Sequence, residues 1–142
     1  MNPAGYSGTP LVRKLGIKPG HRMWAFDPPD RYEALLGELP EGARPAREEE
    51  RGIEFLHVFA TSRAALGRGL AEARERMAED GMVWLSWPKK TSGVETELDG
   101  NVVRETGLAA GLVDIKVCAV DEVWSGLKFV IPVADRTGRR GD

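Results

Sequence analysis

The sequence predicts a three-layer α/β domain with a mostly parallel sheet and an antiparallel hairpin at its C-terminal edge. Three observations carry that reading. Segments of strand character alternate with segments of helical period along the chain. Two of the strands, Ile53–Ala60 and Met82–Trp87, are apolar on both faces, as strands covered by helices on each side must be. The last two strands, Val113–Val120 and Leu127–Val133, are joined by Asp121–Gly126, a connection of hairpin length.

Taken in order, Thr9-Pro10 suits a helix start, with Pro10 at the first helical position and Gly16 placed to stop the helix. Arg22–Phe26 has the length and aromatic content of a short strand, and Asp27-Pro28-Pro29-Asp30 ends it because proline cannot donate to a ladder. Tyr32, Leu35, Leu36 and Leu39 recur at helical spacing over Arg31–Leu39. Pro40–Gly52 reads as a loop with at most a weak strand, and Arg47–Arg51 within it as a solvated face.

Thr61-Ser62 is a cap for a helix over Arg63–Glu79, with Ala64, Ala65, Leu66, Leu70, Ala73 and Met77 toward the core and Asp80-Gly81 as its stop. Gly67 and Gly69 each weaken that helix by about 1 kcal/mol relative to alanine, and two glycines so close suggest tight packing of helix on sheet. Pro88 closes the Met82–Trp87 strand, and Lys89–Leu98 is a polar loop. Asp99 or Asn101 caps a helix to about Ala110, stopped by Gly111. The domain is placed at residues 9–134, with residues 1–8 and 135–142 as flexible ends.

A chain of 142 residues can bury a core without staples. The formal net charge of -2 argues against a general nucleic-acid or anionic-membrane binder, while leaving room for a local basic patch. Cys118 is the single cysteine, so no internal disulfide is expected. Neither a signal peptide nor an apolar run of about 20 residues is visible, which makes the cytoplasm the expected compartment.

Several phrases resemble class I methyltransferases, a Rossmann-like fold. Leu15–Met23 resembles the family's lead-in to its first strand, Ile53–Ala60 its fourth strand, and Glu79–Leu85 the turn into its fifth. Gly111-Leu112 and the terminal hairpin resemble its closing elements. The resemblance implies a site for S-adenosylmethionine after the first strand, on a glycine-rich turn whose backbone approaches the cofactor. This chain has Phe26-Asp27-Pro28-Pro29-Asp30 there, with no glycine and two residues that lack an N–H. The acidic residue implied for the second strand would fall near Ala46–Glu50, where no convincing strand is read. No cofactor is therefore expected, and no G-x-G-x-x-G motif points to a dinucleotide.

Gly5–Leu11, Trp87-Pro88-Lys89-Lys90 and Trp124-Ser125-Gly126-Leu127-Lys128 together resemble a bacterial family known only as a domain of unknown function. That resemblance spans nearly the whole chain and implies no activity and no catalytic residue.

The candidate site residues are Asp27, Lys89, Lys90, Trp124, Ser125 and Lys128. Lys89 and Lys90 follow a strand's carboxyl end, where ligands of open α/β sheets bind, and two ammonium groups there suit a phosphate or carboxylate. Trp124, read as a hairpin-tip residue beside Ser125 and Lys128, suits partner recognition. Asp27 suits a cation or a ligand hydroxyl, and Asp30 a helix cap. Cys118 shares a strand face with Lys116 but is read as packed, and His57 as a satisfied core histidine. His21, His57 and Cys118 have neither triad nor zinc spacing, so no catalytic or metal-ligating set is legible.

The expectation is a non-catalytic binding or regulatory module with a protein partner. Its alternative is an enzyme acting on a small anionic metabolite at the carboxyl ends of the strands. Exposed tryptophans would also favour a homodimer.

Overall fold

A computed structural model describes residues 9–137. It contains β1 (Arg22–Phe26), β2 (Arg44–Pro45), β3 (Ile53–Phe59), β4 (Met77–Pro88), β5 (Val113–Ala119) and β6 (Trp124–Val130). The helices are α1 (Leu11–Leu15), α2 (Tyr32–Leu36), α3 (Arg63–Arg76) and α4 (Gly100–Ala109). The strands form one sheet in the order β2-β1-β3-β4-β6-β5. β2, β1, β3 and β4 pair in parallel, and β6 is antiparallel to both of its neighbours. The architecture is the α/β sandwich that the alternation of elements predicts.

The two sheet faces carry separate cores. α3 and α4 cover Leu56, Val58, Val83, Leu85 and Phe129. α1 and α2 cover Phe55, Phe59 and Trp84, with Cys118 and Val120 at the far side. Alternation along β3 and β4 sends successive residues to opposite faces, and both faces are shielded. Trp84 is fully buried and its indole N–H donates to the Leu15 carbonyl at 2.8 Å, which fastens α1 to the sheet. Gly16, with φ +89°, closes α1 as expected.

α3 is capped by Ser62, whose hydroxyl accepts from the Ala65 amide at 3.1 Å. The helix ends at Arg76, earlier than its sequence suggests, because Met77 already pairs with Ile53 on β3. The register then shifts, so that Phe55 meets Met82 and the intervening residues bulge from β4. Gly81 belongs to this bulge rather than to a helix stop. A Cβ there would lie 2.8 Å from the Ile53 carbonyl oxygen.

Two other elements differ from expectation. The turn between β5 and β6 occupies Val120–Val123, because Asp121 Oδ1 accepts from the amides of Val123 (2.8 Å) and Trp124 (2.7 Å). Trp124, Ser125 and Gly126 are therefore in β6, not at a hairpin tip. The segment Arg47–Arg51 is exposed as expected except at Glu50, which is half-buried. Glu50 ion-pairs with Arg44 at 2.8 Å and Arg22 at 3.6 Å, and accepts from the Arg47 amide at 2.7 Å. The Arg44 hydrogen bond, then that of the Arg47 amide, holds the Glu50 carboxyl down at about 2. This clamp secures the two-residue β2 at the sheet edge.

Residues 1–8 and 138–142, read from sequence as flexible, lie outside the described residues. Residues 135–137 are tied down: Arg136 Nε donates to the Ile131 carbonyl at 3.0 Å, and the Thr137 hydroxyl to Glu79 at 2.9 Å.

The two α3 glycines have different roles. A Cβ on Gly69 would stand 2.5 Å from Val58 Cγ1 and 2.7 Å from Phe26 Cδ2, whereas Gly67 has nothing within 4 Å. Gly67→Ala should raise the unfolding free energy by up to about 1 kcal/mol through helix propensity. Gly69→Ala should lower it by about 1–2 kcal/mol, since overpacking outweighs the same propensity gain. Urea unfolding of the two variants beside the parent checks the opposite signs.

Candidate functional site

The sheet changes winding direction between β1 and β3, and ligands of such sheets sit beyond the carboxyl ends at that point. β1 ends at Phe26, and the chain turns sharply through Asp27, whose φ is +55°. Among the described residues it is the one non-glycine with positive φ, a conformation aspartate tolerates better than most. Pro28 and Pro29 follow and lead into α2. Asp30, expected as a cap, does not serve as one: α2 has no side-chain cap.

Beside this turn lies a cleft of about 800 Å³ between α2 and the β1–β2 edge. Met23, Ala25, Leu36, Leu39 and Phe55 give it apolar walls, and Pro28 and Pro29 line it as well. Its charged lining residues are both acidic, Asp30 and Glu33, and both are exposed. Neither Asp27 nor either of Lys89 and Lys90 is part of the wall.

Tyr32 links the cleft to the core. It lines the cleft, while its hydroxyl meets His57 Nδ1 at 2.8 Å. His57 Nε2 meets Ser86 Oγ at 2.8 Å. His57 and Ser86 are fully buried, and Phe59 stacks on the imidazole with ring centroids 4.1 Å apart. Burial pushes the His57 imidazole down to about 3, so it is neutral at physiological pH. Burial also raises the Tyr32 phenol well above its ordinary range. Two neutral groups thus satisfy both imidazole nitrogens of the core histidine that the sequence reading anticipated. The partners escaped that reading. The available signal was two polar residues, His57 and Ser86, set within the apolar runs Phe55–Phe59 and Met82–Trp87.

A polar bridge closes the same end of the sheet. Arg31 donates to Asp121 at 2.8 Å and to Glu122 at 2.7 Å, joining the β1–α2 turn to the β5–β6 turn. Burial alone would raise the Asp121 carboxyl. Hydrogen bonds from Arg31 and from the Trp124 and Val123 amides hold it below the ordinary aspartate range. Trp124 lies beneath, half-buried, edge-on to Phe59 with centroids 5.1 Å apart. The N-terminus of α3, another possible anion seat, is taken by the chain itself: Glu97 accepts from the Arg63 amide at 2.8 Å.

The structure brings some of the sequence candidates together and separates others. Pro88 pairs with Trp124, Trp87 with Ser125, and the Lys89 amide donates to the Val123 carbonyl at 2.7 Å. Lys89, Lys90, Trp124 and Ser125 therefore share one corner. Lys128 pairs with Trp84, toward the opposite end of the strands. Asp27 is at the β1 end, outside both groups. Cys118 is buried, and burial raises its thiol against the nearby Lys14, Lys116 and Lys89 charges. Trp84 is buried and Trp24, Trp87 and Trp124 are half-buried, so exposed tryptophans do not supply a dimer surface. Among the described residues no group of three or more His, Cys, Asp or Glu side chains is placed to hold a metal ion. No helix there is long and apolar enough to cross a membrane.

This sheet order, with its reversed final hairpin, defines a Rossmann-like α/β fold of the methyltransferase type. Solved structures agree. A SAM-dependent methyltransferase from Aquifex aeolicus is similar with a TM-score of 0.59 at 11% identity, covering 86% of this chain and 88% of that one. A TehB-like SAM-dependent methyltransferase from Corynebacterium glutamicum gives 0.53 at 9%, covering 86% and 85%. Fibrillarin from Aeropyrum pernix, solved with natively bound S-adenosyl-L-methionine, gives 0.55 at 15%, covering 89% and 70%. At such identities the likeness is one of fold. By sequence, no curated protein matches. Residues 59–133 match the family described as Protein of unknown function (DUF3052), and the chain belongs to it.

His57 makes stability depend on pH. The unfolded histidine takes a proton below its ordinary value near 6.5, whereas the folded one stays neutral down to about 3. Between those values the unfolded state holds one more proton, so this contribution is lost as pH falls. His57 should add about 1.4 kcal/mol per pH unit to the slope of unfolding free energy between about pH 6 and pH 3.5. Urea titrations across that range should show a slope shallower by this amount in His57→Gln.

Proposed function

We propose that this protein is a non-catalytic binding module built on a methyltransferase-like scaffold, holding an uncharged or cationic ligand with an apolar body. The cleft at the carboxyl end of β1 carries the reading. Its volume, about 800 Å³, is that of a small-molecule site, and its walls are predominantly apolar. The carboxylates of Asp30 and Glu33 at its margin repel anions and favour a positively charged or neutral group.

The residues at this corner do not fit S-adenosylmethionine in the manner that the fold resemblance implies. Pro28 and Pro29 offer no amide N–H, and they help to wall the cleft. Glu50, in the stretch where a ribose-binding acid would fall, is engaged by arginines at the sheet edge. Tyr32 and His57, behind the cleft wall, are held neutral by burial and bonded to each other, so neither is poised as an acid or base near pH 7.

The test uses a neutral apolar fluorophore, 1-N-phenylnaphthylamine, and the unfolding midpoint. Saturable fluorescence enhancement is expected, weakened tenfold or more by Ala25→Phe, which fills the cleft from β1. Millimolar S-adenosylmethionine or S-adenosylhomocysteine should leave the midpoint unmoved. A cofactor at 100 times its dissociation constant would add about 2.7 kcal/mol, so a rise of several degrees would replace this reading with an enzymatic one. Probe binding unaffected by Ala25→Phe would remove the cleft from consideration.

A further inference from the structure

A second site is suggested by lysines on the α1 face, away from the cleft. Lys116 on β5 and Lys128 on β6 are directly opposed across the antiparallel ladder. Like charges in that relation are destabilising. Both ammonium groups end at the same short turn. Lys116 Nζ donates to the Lys14 carbonyl at 3.0 Å. Lys128 Nζ stands 3.3 Å from where a Cβ on Gly16 would be, so the glycine leaves space for it.

The two lysines are not equivalent. Lys116 is exposed and satisfied by the C-terminal carbonyl of α1, an ordinary role for a cation. Lys128 is half-buried and has no hydrogen-bond or ion-pair partner among the described residues. Burial lowers its amine from the ordinary lysine value, and the Lys116 and Lys18 charges lower it further. The nearest carboxylate on β5, Asp114, is engaged by Arg104 of α4 at 3.2 Å. Neither Lys116 nor Lys128 takes part in any ion pair found among the described residues. A chain of net charge -2 has thus gathered unneutralised ammonium groups at one point of its sheet.

We propose that Lys128 and Lys116 form a binding site for a phosphoryl group of a small molecule, seated against the Lys14–Gly16 turn. A multiply charged oxyanion is the species that would relieve several ammonium charges at once. A monocarboxylate would relieve one. The site lies on β5, β6 and the end of α1, while the cleft lies on β1, β2 and α2, so the two stand or fall separately.

The probe is pyrophosphate, read by the unfolding midpoint with ionic strength held constant by sodium chloride. The parent should show a saturable rise of several degrees, and Lys89→Met/Lys90→Met, altered at the other end of the sheet, should show the same rise. Lys116→Met/Lys128→Met should lose it. Lys116→Glu guards against misfolding, because it sets a carboxylate opposite Lys128: it should fold, as judged by far-ultraviolet circular dichroism, and should also lose the response. Three results would overturn the site: a parent rise no larger than chloride gives, an undiminished rise in the Lys116 variants, or a response confined to a single-stranded RNA oligonucleotide.

Discussion

Burial of β3 and β4 on both faces is the constraint on which the rest of this structure depends. Each face of that pair needs its own cover, which α3 and α4 supply on one side and α1 and α2 on the other. The cover is unequal. α3 has 14 residues, while α1 and α2 have five each. Five-residue helices have little stability of their own. They are held by side-chain anchors, Trp84 to the Leu15 carbonyl and Tyr32 to His57. The cleft beside α2 is the part of that face that the short helix leaves uncovered.

His57 sits at the centre of this arrangement. An imidazole buried without partners would cost several kcal/mol, and here both nitrogens are engaged. The Tyr32–His57–Ser86 chain crosses from α2 through β3 to β4, so it specifies how the helix sits on the sheet as well as satisfying polar atoms. A serine next to a histidine invites comparison with nucleophilic sites. The comparison stops at access, because Ser86 and His57 are both wholly buried.

The carboxyl end of the sheet differs from an open ligand crevice in three particular ways. Arg31 spans it to Asp121 and Glu122, Glu97 occupies the α3 N-terminus, and two prolines stand where a glycine turn would leave backbone donors. Each places the chain's own groups where an anionic ligand's would go. What remains open is apolar with an acidic margin. Lys89 and Lys90 are at this end but outside the cleft wall, and the Lys116–Lys128 ladder lies toward the other end.

Local pattern by itself determined the layer architecture, both doubly buried strands and the glycine stop at Gly16, and narrowed the caps to Thr61-Ser62 and to Asp99 or Asn101, because periodicity and capping are written within a few residues. Tertiary structure alone decided the rest. Met77 leaves its helix because Ile53 offers a backbone partner. Trp124 enters β6 because Asp121 draws the turn tight. Glu50 turns inward because Arg22 and Arg44 come from distant segments. The His57 chain joins residues 25 and 29 positions apart, and Lys116 reaches the Lys14 carbonyl across 102. Such juxtapositions depend on strand order and register, which no local stretch of sequence encodes.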